Sequence, residues 1–314
     1  MDLAVFKKGL LGKALSKSLT TFRQYPSIVI PFLAFTIIEL IALIALYNIP
    51  RQPLVGILGP PVRTFWGEKF LHYPYNFLIL PKISYYSRIV LSVFFGSLLM
   101  GTAIALIGAF HYKKPIRLGK ALQFAFRKYI LLFAVLLLLT ALYYFLDKCI
   151  TLGLVKYFIA GHKKLLFLNA KAWLGPILPV LTFLLAILLQ SLFAYALPAV
   201  IIGNEKLLSA LWKSVVLCKR LFITTLIIVT VTLLLFVPIL ALIYNSAFLI
   251  NKLFPEFILY VLIAGVIANS LIIDLCLTLF TTNIYVLYSD ANDGTLAQET
   301  GKASGAKKEK KLKP

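Results

Sequence analysis

Two carboxylates stand inside stretches that are otherwise apolar, Glu39 in Val29-Ile-Pro-Phe-Leu-Ala-Phe-Thr-Ile-Ile-Glu-Leu-Ile-Ala-Leu and Asp274 in Leu271-Ile-Ile-Asp-Leu-Cys-Leu. An ionisable group costs about 2.5–3.5 kcal/mol to hold at the centre of a lipid-embedded helix, so such residues face a bundle interior and mark paths, proton relays or ligand sites. Asp274 also belongs to a polar stripe. Ser270, Thr278, Thr281 and Thr282 recur around it at helical spacings of three and four, with Asn269 alongside. The stripe reads as a polar path or a headgroup site; hydrogen bonding between helices accounts for the same hydroxyls at roughly 0.6–2 kcal/mol per contact. Gln190 and Ser191 add a polar centre to another apolar stretch, bent by Pro176, Pro179 and Pro198. Together Glu39, Asp274, Ser270, Thr278, Asn269 and Gln190 form the candidate intramembrane site.

Other chemistry is thin. The chain has 11 Asp and Glu, 3 His and 3 Cys among 314 residues. His72, His111 and His162 fall in different connecting segments with no ligand-spaced partner, so neither a metal nor another cofactor is expected. Cys149, Cys218 and Cys276 fall at different depths, too far apart to pair. No set of His, Asp, Glu or Ser at catalytic spacing is visible, and the expectation is a protein that is not an enzyme.

The elements that must position these residues follow from composition. The chain is 61% hydrophobic and 14% charged, against about 45–50% and 25% in soluble domains. A helix needs about 20 mainly apolar residues to cross a bilayer. Six stretches qualify, at about 28–47, 89–110, 129–145, 173–202, 221–244 and 257–280. None alternates apolar with polar as the strands of a membrane barrel would. The expected fold is all-α, a polytopic membrane helix bundle of six spans over residues 1–290. Ser97, Gly101, Ala105 and Gly108 give the second span a small-residue face for close helix packing.

Orientation is read from Lys and Arg. The formal net charge is +21, and 21 of the 32 basic residues fall in segments on the N-terminal side of the bundle. Basic flanks resist translocation, so both termini are expected in the cytoplasm, with the bundle in the inner membrane. The first 25 residues hold five positive charges but no apolar core or cleavage site, and the first span is expected to be an uncleaved anchor. The outer connection 48–87, rich in Pro, Tyr and Trp, is expected along the outer interface or over the bundle, with a binding surface as the sharper alternative. Arg88, at the edge of the second span, is expected to snorkel outward. The tail 291–314 is expected to be disordered and basic.

Three cytoplasmic segments are alike: GKALSKSLTTFR at 12–23, GKALQFAFRK at 119–128 and LSALWKSVVLCKR at 208–220. Each precedes an apolar stretch, so the expected architecture is three repeats of an amphipathic interfacial helix plus two spans. In the first, Leu11, Leu15, Leu19 and Phe22 share one face and Lys13 and Lys17 lie on another. Such helices sink an apolar face into the acyl boundary while their cations meet anionic headgroups. Lys13, Lys17, Lys120, Arg127, Lys213 and Lys219 are the candidate contacts. Polar collars placed by topology alone are the alternative. Basic charge explained by topology gives no reason to invoke nucleic acid. Expected partners are membrane lipids, other membrane proteins or a second copy.

The stretch Tyr195-Ala-Leu-Pro-Ala-Val-Ile-Ile-Gly-Asn-Glu-Lys, followed by Ala210-Leu-Trp-Lys-Ser and Lys219, resembles the end of one helix, the turn and the next amphipathic helix in the membrane domain associated with glycerophosphodiester phosphodiesterases. The closing Val286-Leu-Tyr-Ser-Asp290 is similar to the exit after the last span there and in related six-helix bacterial families. The resemblance implies a six-helix membrane fold over residues 1–290. The metal-binding Glu and His pattern of the phosphodiesterase catalytic domain is absent, so catalysis is not carried over. The leading functional expectation is a lipid- or protein-interacting membrane scaffold or accessory protein. The alternative is a small transporter or channel subunit using Glu39 and the Asp274 stripe; a hydrated cavity reaching those acids would favour it.

Overall fold

Lipid offers no partner for a free N–H or C=O, so long apolar segments satisfy their backbones internally as helices. The computed structural model describes the backbone of residues 3–113, 116–160 and 164–290, with side chains at 9, 11–113, 116–153 and 178–290; all its regular elements are helical. The expectations for the tail 291–314 and for His162 lie outside these residues. The first half runs α1 (Leu3–Gln24), α2 (Pro26–Tyr47), α3 (Leu54–Trp66), α4 (Asn76–His111) and α5 (Leu118–Arg127). The second runs α6 (Tyr129–Ala160), α7 (Lys164–Phe193), α8 (Ala196–Ile201), α9 (Leu207–Arg220), α10 (Phe222–Leu234), α11 (Val237–Tyr244), α12 (Ser246–Lys252) and α13 (Phe257–Asp290).

Among the described residues five helices are long and apolar enough to cross a membrane, as a multi-pass membrane protein requires. A sixth crossing arises if the pair α9 and α10, bent by 99°, is taken as one span. The sequence places the fifth span at 221–244 unbroken. The backbone instead interrupts it at Leu235 and Phe236, just before Pro238, whose ring cannot continue the preceding turn.

The second span is longer than its apolar count suggests. Helix α4 starts at Asn76 rather than near 89, because Phe77 and Leu80 are buried against Leu43, Ile250, Ile258 and Leu262. The remainder of the 48–87 connection caps this end through α3, where Val62 packs on Ile49 and Leu71.

The half of α4 nearer His111 is the centre of the bundle, buried from Gly101 through Ala109. Around it sit Ile28 and Phe32 of α2, Ala121 and Ala125 of α5, Leu132 and Val135 of α6, Ala199 and Val200 of α8, and Leu275 and Leu279 of α13. Small residues let these helices approach closely. A Cβ on Gly101 would lie 2.5 Å from Leu132 Cδ1 and 3.5 Å from Ala125 Cβ, and one on Gly108 3.2 Å from Ile202 Cγ1.

The helices α1, α5 and α9 dock with small residues and turn large ones outward. Ala14, Ala121 and Ala210 are fully buried, whereas Leu19, Phe126 and Trp212 are exposed. Ser18 accepts a hydrogen bond from Asn283 Nδ2, and Ser214 donates to Leu192 O and accepts from the Tyr195 N–H where α7 gives way to α8. The Gly203-Asn204-Glu205 turn also has a physical reason. Asn204 adopts a positive φ of 53°, and a Cβ on Gly203 would meet Tyr285 Oη at 2.4 Å and Ala199 O at 2.7 Å. Lys128 closes the same end of the bundle by donating to the Val200 and Ile201 carbonyls, and burial lowers its pKa. Lysines suit the carbonyl end of a helix.

Gly101→Leu is expected to destabilise the bundle by about 1–3 kcal/mol, because the extra side chain must displace Leu132 or separate α4 from α5. Thermal unfolding in detergent measures it. An unchanged midpoint would mean that α4 is not tightly packed.

Candidate functional site

Helix α2 buries Phe32, Phe35, Thr36, Glu39 and Leu43, one face at spacings of three and four, and Glu39 therefore points where α2 meets α4 and α13. Its side chain is 2% exposed. Two groups answer it. Arg88 Nε of α4 lies 3.2 Å from Glu39 Oε1, and Ser270 Oγ of α13 donates to Glu39 Oε2. A buried carboxylate loses hydration worth several kcal/mol, and a guanidinium with an added hydrogen bond is the kind of partner that offsets it.

The second carboxylate sits differently because α13 changes its winding. Residues Ala268–Asp274 form a π-helical segment, in which hydrogen bonds run i→i+5 and a wider turn brings i and i+5 together. Accordingly Asn269 Nδ2 donates to Asp274 Oδ2 at 3.1 Å, across five residues. The segment turns Ser270 toward Glu39 and leaves Asp274 on another surface. Helix α4 has a matching π-helical stretch at Ser92–Gly96, one turn beyond Arg88. Single π turns occur mostly inside α-helices and often beside functional groups.

Asp274 lines a partly open cavity of about 410 Å³ between α4, α6, α7 and α13. Its polar groups are Ser92, Thr140, Gln190, Thr278 and Thr281, with the Tyr85 and Tyr143 side chains also on its wall. Most of the remaining wall is apolar, from residues such as Ile89, Ile104, Leu136 and Leu189. Neither Glu39 nor Arg88 forms part of the lining. Among the described residues Asp274 makes no ion pair within 4.0 Å, although Arg88 and Glu39 are near enough for their charges to act on it.

The six residues expected to form an intramembrane site therefore meet in one region, divided in two. Glu39 and Ser270 join in the helix contact, while Asp274, Thr278 and Gln190 face the cavity and Asn269 holds Asp274. The expectation that Arg88 snorkels outward is corrected. It lies 12 residues into α4, roughly 18 Å from the start of the helix at 1.5 Å per residue, and turns inward to Glu39. Its signal in the sequence was the run of apolar and aromatic residues on both sides and an opposite charge in the neighbouring span. Tyr85 and Tyr143 carried no such signal.

Of the six basic candidates, Lys13, Lys120, Arg127, Lys213 and Lys219 are exposed and Lys17 is half-buried. Lys213 already pairs with Glu205, which also accepts from Ser209; these contacts hold the Glu205 carboxyl below its usual pKa range. His111 joins the end of α4 to Asp290 at the end of α13.

Ser270→Ala is expected to cost about 1.5–3 kcal/mol, the worth of a hydrogen bond to a charged group. Thr278→Ala, which removes a hydroxyl from the cavity wall, should cost less than about 1 kcal/mol. Equal costs in detergent unfolding would contradict the division of the site into a structural and a cavity side. No family model, curated protein or solved structure matches this chain.

Proposed function

We propose that this protein is a non-enzymatic, lipid-interacting membrane protein that holds an amphiphile in the cavity between α4, α6, α7 and α13. The observation that carries the reading is the composition of that cavity. Its volume of about 410 Å³ lies within the range of ligand sites, and its wall is apolar except for Asp274, Gln190, Ser92 and a few hydroxyls. Such a wall suits a molecule with an acyl chain and a small polar head.

In this reading the bundle sits in the inner membrane with both termini cytoplasmic, as the distribution of Lys and Arg favours. Helices α1, α5 and α9 lie in the cytoplasmic interface, each opening a unit of one amphipathic helix and two spans. The equivalent burial of Ala14, Ala121 and Ala210, and the outward Leu19, Phe126 and Trp212, support both points. Lys13, Lys17, Lys120, Arg127 and Lys219 meet anionic headgroups there, with Lys213 shared with Glu205. Other membrane proteins or a second copy join through the lipid-facing sides. The second reading, a small transporter, draws on the paired π-helical segments Ser92–Gly96 and Ala268–Asp274, which place two adjustable turns beside the intramembrane charges.

Native mass spectrometry on protein extracted in native membrane discs tests the proposal. Wild type is expected to carry an amphiphile that is lost when Thr278→Trp fills the cavity. Retention of the same molecule by the filled variant would place it on the outer surface and overturn the reading.

A further inference from the structure

The charges around the cavity do not balance. Two carboxylates, Glu39 and Asp274, share one guanidinium, Arg88, whose Nε lies 3.2 Å from Glu39 while Asp274 feels its charge only from beyond 4.0 Å. The hydrogen bond from Asn269 to Asp274 is neutral and supplies direction without charge. A low-dielectric site with an unmatched negative charge is strongly attractive to a cation, far more than the same carboxylate in water. Asp274 is also the carboxylate that reaches the cavity.

The neighbouring groups fit one kind of cation. Tyr85 and Tyr143 stand on the same wall, and aromatic faces attract ammonium groups, quaternary ones included. Further along α6, Asp147 is close enough to both tyrosines to act on them electrostatically, and Arg88 acts on Tyr85 as well. Arg88 is the cation within electrostatic reach of Asp274 among the described residues, and Glu39 occupies it. The remaining wall is hydrocarbon.

We propose that the cavity selects amphiphiles with a cationic, ammonium-type head, which pairs with Asp274 against Tyr85 and Tyr143 while the chain lies along the apolar wall. The inference rests on the amphiphile reading and adds the charge of the ligand. Asp274 supplies the counter-charge, Asn269 fixes its carboxylate, and the contact with Glu39 holds the guanidinium where it offsets that charge only in part. Glu39 is therefore a positioning residue, acting through Arg88.

Three photoreactive single-chain amphiphiles with one alkyl diazirine tail and a trimethylammonium, hydroxyl or sulfate head test this on the full chain in micelles of an uncharged maltoside detergent, which carries no ammonium group. Labelling of cavity peptides is read by mass spectrometry. For wild type the ammonium probe is expected to exceed the hydroxyl probe by about tenfold, and the sulfate probe to be lowest. Asp274→Asn should erase the preference. Glu39→Gln should reduce it as well, because Arg88 then turns to Asp274, an effect that simple loss of a cavity contact would not produce. Equal labelling by all three heads in wild type would overturn the cation inference and leave the amphiphile reading standing. Absence of cavity labelling by any probe would overturn both. Ammonium labelling no higher than hydroxyl would assign the missing positive charge to a proton and also overturn the inference. If Asp274→Asn fails to fold, the wild-type head-group series still decides.

Discussion

The Glu39–Arg88 pair is the constraint from which the rest of the arrangement follows. A carboxylate at 2% exposure in the middle of α2 is tolerable only with a counter-charge and a hydrogen-bond donor in place. Arg88 comes from α4 and Ser270 from α13, so contacts to one side chain tie three helices to one another. That triple contact sets how α4 and α13 pass α2, and therefore where their other faces point.

The cavity is the consequence on the far side of the same helices. With Ser270 held toward Glu39, the π-helical winding of Ala268–Asp274 sends Asp274 away from the pair and Asn269 follows it across five residues. A helix of uniform winding would put residues four apart, such as Ser270 and Asp274, on one face. The changed winding separates a structural carboxylate from an accessible one. The end of the bundle around Gly101 and Gly108 is built oppositely, with alanines and glycines bringing α5, α6 and α8 close around α4. The cavity reaches this packed end, where Ile104 of α4 and Leu197 and Pro198 of α8 form part of its wall.

How much of this was legible in the sequence depends on the kind of signal. The apolar stretches fixed an all-helical membrane fold, because length and composition alone decide that a segment is a long helix. The polar stripe of α13 led to the candidate site, since Asp274, Ser270 and Thr278 are rare residue types in such surroundings. What escaped was geometry set by tertiary contact. Arg88 looked like the edge of a span because the helix from Asn76 to Leu91 contains Pro81 and many aromatics, and only the packing of Phe77 and Leu80 on α2 and α13 shows it to be continuous. The π-helical segments have no composition of their own. The break before Pro238 was visible as a proline, but prolines are common in membrane helices and their effect depends on neighbours. The Tyr195 to Lys206 stretch looked like a family motif; in the structure its Gly203 and Asn204 serve a close approach to Tyr285 and a left-handed turn.

The account stands on the claim that Glu39 and Arg88 are an energetic pair rather than neighbours. A double-mutant cycle with Glu39→Gln, Arg88→Gln and the double variant, followed by unfolding in detergent, measures that directly. Arg88→Gln is expected to cost about 3–5 kcal/mol by leaving Glu39 unmatched, Glu39→Gln less because Arg88 then turns to Asp274, and the double change markedly less than their sum. Strictly additive costs, or single variants as stable as wild type, would contradict the pair and with it the placement of Asp274 as the unmatched charge of the cavity.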